Sequence, residues 1–301
     1  MTGGKTVSLR SVRQRSVHIS AMIFLLPALI FIAVYILYPI VDSFISSAMQ
    51  WKGMGGDKRF TGLANWVNLL KDLNFWQAFV NNIKIMFLSL LFQVPFAMIL
   101  ATFLDRYDKK AAVFKVVWFL PYLLSSVAIG VLFKFALDAN YGLIASISRL
   151  LGGGAVDLLG NPKAALYTVI GVVCWQYIPF YMVLYLAAYG TIPVELYEAA
   201  GIDGATRSQY FWLVSLPLLR PTVISGMILS IIGSLKYFDL VYVMTGGGPG
   251  VATELMATYM YRNSFVRFDM GYGSTVASGM FILITLITLI TITLLNRKTE
   301  L

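Results

Sequence analysis

The chain has 301 residues, 58% of them hydrophobic and 12% charged, where a soluble globular protein carries about 25% charged residues. So little charge, with a mean hydropathy of +0.77, leaves too little polar surface to cover a water-soluble particle; apolar runs far longer than the ~10-residue strands of a membrane barrel make the class all-α integral membrane. The net charge of +9 is spread between these runs with no continuous patch, which suits membrane topology and argues against a nucleic-acid partner.

A basic segment over 1–20, with Lys5, Arg10, Arg13 and Arg15, precedes an apolar run at 21–43. That run exceeds the ~7–15 residues of a signal-peptide core, so it reads as an uncleaved first span. Further segments at 81–104, 113–137, 165–189, 222–244 and 273–295 bring the expected spans to six, followed by a short tail at 296–301. Each is long enough for a hydrocarbon core of ~30 Å at ~1.5 Å per residue. Pro27, Pro39, Pro95, Pro121 and Pro179 fall inside spans and predict kinks, because neighbouring helices satisfy the carbonyls they free. The single Cys174 excludes an internal disulfide and reads as packing.

Between the first two spans, 60–80 places Leu63, Trp66, Leu69 and Leu70 at helical spacing and ends in Phe75 and Trp76. This predicts an amphipathic helix on the outer surface. Asn81, Asn82, Lys84 and Asp42 read as interfacial capping or snorkelling groups. With the N-terminus inside, Arg106, Lys109, Lys110, Lys115, Arg207, Arg220, Arg297 and Lys298 join the basic segment on the cytoplasmic side. Fewer positive residues are then spread over longer outer loops, so both termini are expected in the cytoplasm.

The stretch 190–221 is too polar to cross a bilayer and too long for a tight hairpin. Pro193 suits a first helical turn, and Glu195 and Glu198 suit its positive end. Gly201 and Gly204 interrupt that helix; a second follows from about Ala205 with Asp203 as N-cap, and Leu216-Pro217 closes it. The expectation is a rigid helix–turn–helix over 190–217 presented to the cytosol.

Glu198-Ala199-Ala200, then Gly204 and Leu216-Pro217, with Val214 where isoleucine is usual, resemble the EAA motif of ABC importer permeases. The turn Thr245-Gly246-Gly247-Gly248-Pro249-Gly250, the stretch at 119–138 and Phe60-Thr61-Gly62-Leu63-Ala64-Asn65-Trp66 are similar to the sugar-type branch. The resemblance implies the six-helix type I importer fold, with 190–217 as a coupling helix seated in a cleft of a cytosolic ATPase subunit. There Ala199, Ala200 and Gly204 would allow close packing and Glu198 would meet a basic residue of the partner. It also implies a second, similar permease, two nucleotide-binding subunits that carry ATP and Mg, and an extracytoplasmic solute-binding protein that 244–270 reaches toward. No cofactor is expected in this chain, and the location implied is a bacterial or archaeal cytoplasmic membrane.

Ionisable residues inside spans are costly and mark functional candidates. Lys236 and Asp239, three apart in the fifth expected span, would share a helical face and neutralise each other. Trp175, Gln176, Tyr177, Phe180 and Tyr181, with Tyr237 and Tyr242, suit a carbohydrate, since rings cover sugar C–H faces while amides and hydroxyls meet OH groups; the same composition also serves plain packing. In maltose-type members the sugar sits midway across the membrane. Ungapped counting from Glu198 and Thr245 then implies pocket positions near Gln176, Tyr177, Phe180, Ser230, Gly233, Ser234 and Tyr237, with Ser234 replacing the maltose-type asparagine. A glycerol-3-phosphate-type importer shares these motifs and stays open. An ion-gradient carrier is the alternative from another class, although it gives 190–217 no role.

Catalysis finds no footing. No strand leads into Gly4-Lys5-Thr6, and Gly246 to Gly250 lacks the helix start of a dinucleotide loop. With His18 as the sole histidine, a His-containing metal cluster is excluded. A transport subunit is expected, with ATP hydrolysis on a separate chain.

Overall fold

In hydrocarbon each backbone N–H and C=O must be satisfied within its own segment, so long apolar runs coil into helices. The computed structural model describes Met22 and residues 24–53, 57–105, 111–154 and 156–296; the expected basic segment at 1–20 and residues 106–110 and 297–301 lie outside the described residues. The first long helix, α1 (Phe24–Ser47), leads into an antiparallel ribbon of β1 (Met49–Gln50) and β2 (Arg59–Phe60), with Met49 opposite Phe60. Helices α2 (Ala64–Lys71), α3 (Leu73–Asp105), α4 (Ala111–Leu123), α5 (Ser126–Ala136), α6 (Leu143–Leu150) and α7 (Ala165–Tyr189) follow. Then come α8 (Val194–Ile202), α9 (Arg207–Leu235), α10 (Asp239–Thr245), α11 (Met256–Tyr261) and α12 (Met270–Asn296). Among the described residues five helices, α1, α3, α7, α9 and α12, are each long and apolar enough to cross a membrane, or six spans if α4 and α5 count as one.

Several boundaries differ from the sequence expectation, each for a local reason. The surface helix expected over 60–80 is cut at Asp72, whose carboxylate accepts the backbone N–H of Asn74 at 2.9 Å and caps α3, so α3 starts at Leu73. Phe75, expected at the end of that surface helix, is buried with Leu69 against Met256, Tyr259 and Val276. The expected third span is two helices meeting at 90°. Pro121 weakens the ladder just before the bend, and Ser125 leaves the helical region at ψ 133° to start α5. The expected fifth span is also divided, because α9 ends at Leu235 and α10 begins at Asp239.

At its other end α9 runs straight through Leu216-Pro217, read from sequence as a stop. A π-helical turn at Phe211–Ser215 widens the backbone where the Pro217 ring would strike the carbonyl of Leu213. The same device recurs in α1, where a π turn at Ala33–Leu37 precedes Pro39.

The packed centre is α3, α7 and α9. Ala97 and Ala101 of α3 let it lie close against Met182 and Tyr185 of α7, with Leu219 of α9 beside them. Nearer α10, Ile85, Ile129, Val169, Val173, Leu240 and Val241 make a second cluster. Gly130 sets the approach of α5 to α10, since a Cβ there would stand 2.9 Å from Val243 Cγ1. Helix α1 stays on the outside of the bundle; its buried Ser47 accepts from Asn65, Trp66 and Thr275.

Candidate functional site

Both helix breaks open onto one cavity of about 360 Å³. The α4–α5 bend contributes Tyr122 and Ser126, and the α9–α10 break contributes Lys236, Tyr237, Phe238 and Asp239. Tyr177, Phe180 and Tyr181 of α7 and Ser230, Gly233 and Ser234 of α9 complete much of the wall. The rings brace one another: Tyr177 stands edge-on to Tyr122 and to Tyr237, each at 5.8 Å, and Tyr122 lies 5.1 Å from Phe180.

Of the pathway residues named from sequence, Tyr177, Phe180, Ser230, Gly233, Ser234, Tyr237 and Asp239 line this cavity. Gln176 does not. It is 2% exposed and stands behind the wall, donating through Nε2 to Ser126 Oγ at 3.2 Å and accepting from Tyr237 Oη at 3.4 Å. One amide thereby joins the two breaks. Lys236 and Asp239 form no ion pair, because the helix ends between them and Phe238 (φ −140°, ψ −62°) turns the chain; both are exposed. Sequence reasoning missed Gln93, Tyr122 and Ser126. Gln93, buried in α3, accepts from Ser230 Oγ at 3.0 Å, and a polar amide in the middle of an apolar run was the signal that marks it.

A second polar knot fixes the α9–α10 break from behind. Asn82, 0% exposed, donates to the carbonyls of Leu235 (3.1 Å) and Ser234 (3.4 Å) and accepts the Met256 N–H at 2.9 Å. Asn81 donates to the Ala252 and Glu254 carbonyls at 3.1 and 3.0 Å. These asparagines are therefore buried latches, not interfacial caps. Glu254 is fully buried, pairs with Arg262 at 2.7 Å and accepts from Thr258 at 2.7 Å. Burial pushes its carboxyl above the usual range, against the Thr258 hydrogen bond and the Arg262 charge. Arg262 also donates to the Gly246 carbonyl at 2.6 Å, and Thr253 to Gly248 at 2.8 Å, so the Gly-rich turn is built into this knot.

At the other end of α7, residues 193–209 project from the bundle, while Ile192, Phe211 and Leu216 on either side pack against its core. Pro193 is the N-cap of α8, Glu195 and Glu198 are exposed, and α8 buries no residue. Val194, Tyr197 and Ile202 are large apolar side chains left exposed on it. Ala199 is exposed and Ala200 half-buried. Gly204 takes φ +71°, a left-handed turn that a side chain resists. Asp203 closes α8, and the N-cap of α9 is Thr206, whose hydroxyl accepts from the Gln209 N–H while Gln209 Oε1 accepts from the Thr206 N–H at 2.7 Å. Tyr197 and Tyr210, edge to face at 5.2 Å, hold α8 against the start of α9. Leu216 and Pro217 lie along α9, away from this turn. Among the described residues no cluster of three or more His, Cys, Asp or Glu could hold a metal ion.

A bundle of spanning helices around an aromatic-walled cavity, with a projecting helical turn, has the form of a membrane permease. The chain belongs to the family described as binding-protein-dependent transport system inner membrane components, whose model matches residues 93–301. A putative ABC transporter permease, ORF1 of a Caldicellulosiruptor species, is 61% identical over 140 residues, covering 46% of this chain and all of that one. The trehalose/maltose transport system permease MalF of Thermococcus litoralis is 31% identical over 266 residues, covering 88% of this chain and 90% of the relative. A bacterial alginate ABC transporter solved with an alginate pentasaccharide-bound periplasmic protein shares the fold, with a TM-score of 0.83 at 23% identity over 97% of this chain and 98% of the other.

Proposed function

We propose that the chain is the membrane-spanning permease subunit of an ATP-driven importer and forms half of the pathway for a carbohydrate, an oligosaccharide in particular. The observation that carries the substrate class is the cavity at the two breaks. Its rings Tyr122, Tyr177, Phe180 and Tyr237 offer faces to sugar C–H groups, while Ser126, Ser230, Lys236 and Asp239 offer donors and acceptors to hydroxyls. Sugar-named relatives support the same class.

The projecting turn supplies the coupling. Residues 198–204 would seat in a cleft of a nucleotide-binding subunit, with Glu198 meeting a basic group and the exposed Val194, Tyr197 and Ile202 burying apolar surface. ATP and Mg bind on two such subunits, and their closure moves the turn and opens the cavity outward. A second, similar permease completes the pathway, and a solute-binding protein docks on the outer face near 244–270. Both termini then lie in the cytoplasm. Leu216 and Pro217 lie just beyond the π turn, which lets α9 continue past Pro217 from this turn.

The test is uptake by the reconstituted complete transporter. Glu198→Arg, and Gly204→Pro, which forces φ near −65° where +71° is needed, should abolish ATP-driven uptake with insertion intact. Tyr177→Ala and Tyr237→Ala should alter transport affinity or specificity. Normal uptake by the first pair removes the coupling assignment; unchanged affinity and specificity in the second pair removes the cavity.

A further inference from the structure

A second, larger recess of about 990 Å³ lies beyond the α9–α10 break, on the face proposed above to look outward, with Lys134, Asp138, Asn140 and Arg262 on its walls. It is separated from the central cavity by a run of rings. Phe238, which lines the central cavity, stacks on Tyr242 at 5.1 Å and 14°. Tyr242 meets Tyr261 at 5.0 Å, and both line the larger recess. Tyr261 continues to Phe265 at 5.3 Å. Tyr242 is 41% exposed and Phe265 52%, so ring surface stays open along the run.

Aromatic residues near the ends of membrane spans ordinarily anchor a protein to lipid headgroups. Phe238, Tyr242 and Tyr261 instead share the walls of the two recesses with Lys134, Asp138, Arg262 and Asp239, groups that do not face hydrocarbon. A chain of π faces bordered by charged and amide side chains suits one ligand class. A pyranose presents an electropositive C–H face to a ring and its hydroxyls to the flanking polar groups.

We infer that Phe238, Tyr242, Tyr261 and Phe265 form an aromatic rail, a second carbohydrate subsite that carries sugar units from the outer recess into the central cavity. The inference rests on the carbohydrate reading above. It assigns binding to residues outside the central cavity and predicts that an oligosaccharide touches both recesses while in transit.

The experiment uses the complete transporter in proteoliposomes with its binding protein. Maltotriose, cellotriose, xylotriose and raffinose serve as probes, and the readout is sugar molecules imported per ATP hydrolysed. Tyr242→Ala, Tyr261→Ala and the bulk-preserving Tyr242→Leu should lower this ratio about threefold to tenfold for whichever probe the unaltered transporter imports, and Tyr242→Phe should restore it. An unchanged ratio overturns the rail. So does a parallel fall of uptake and ATPase rate, which marks these rings as a docking or packing surface. A reduced ratio in Tyr237→Ala with none in the rail variants leaves the central cavity standing and removes the rail alone. Import of none of the four sugars removes the carbohydrate reading and the rail with it.

Discussion

Replacing Asn82 with leucine tests how the end of α9 is held. Leucine keeps the branched outline of asparagine but is bulkier, so the change removes the hydrogen bonds and adds crowding rather than leaving a cavity. Asn82 is 0% exposed, and in its absence the Leu235 carbonyl (now 3.1 Å away) and the Met256 N–H (2.9 Å) lose their partner in a place water does not reach. An orphaned buried polar group costs about 1–3 kcal/mol, so two cost about 2–6 kcal/mol; the longer contact to Ser234 at 3.4 Å is left out. Unfolding in mixed micelles against increasing SDS measures the loss, with exposed Lys84→Leu as a control expected within about 0.5 kcal/mol. Asn82→Leu falling inside that same band would refute the claim that a buried amide fixes the break.

Gly130→Leu should cost about 1–3 kcal/mol in the same assay, since its Cβ would already crowd Val243; a neutral result would show that α5 can move away from α10. Arg262→Met should destabilise by about 3 kcal/mol at pH 7, because it leaves Glu254 buried without its counter-charge. Burial already raises that carboxyl, so protonation favours the folded form; the loss should shrink as pH falls toward 4.5 and grow as pH rises, which a pH series of unfolding curves checks. For Gln176, a double-mutant cycle of Gln176→Leu with Tyr237→Phe on transport affinity should depart from additivity by about 0.5 kcal/mol or more, and additive effects would mean that the amide does not act through Tyr237.

Hydropathy carried the class, the number of apolar segments and most of their centres, because a span must be continuously apolar whatever it packs against. It could not carry the breaks. Residues 222–244 read as one run, and the stop after Leu235 depends on Asn82, far away in sequence, whose amide takes the last carbonyls. Residues 113–137 read as one span for the same reason: a 90° bend changes direction without changing composition, and Pro121 and Ser125 were the only local signs. Pro217 misled in the opposite sense, since a π turn absorbed it. Within the cavity, type and spacing placed Tyr177, Phe180 and Tyr237 on the wall, yet could not tell that Gln176 faces backwards, because one residue along a helix changes direction by about 100°.

Helix α9 extends from Arg207 beside the projecting turn to Leu235 at the cavity, 29 residues in all. At about 1.5 Å per residue it is a connecting rod of about 43 Å. On the coupling role proposed above, motion of the turn reaches the cavity wall through this one helix, which is interrupted by the π turn at Phe211–Ser215 and by Pro221. The π turn lies at the end that carries the projecting turn. A stiffer backbone at these two places would, on that proposal, pass motion to Ser230 and Ser234 with less slack.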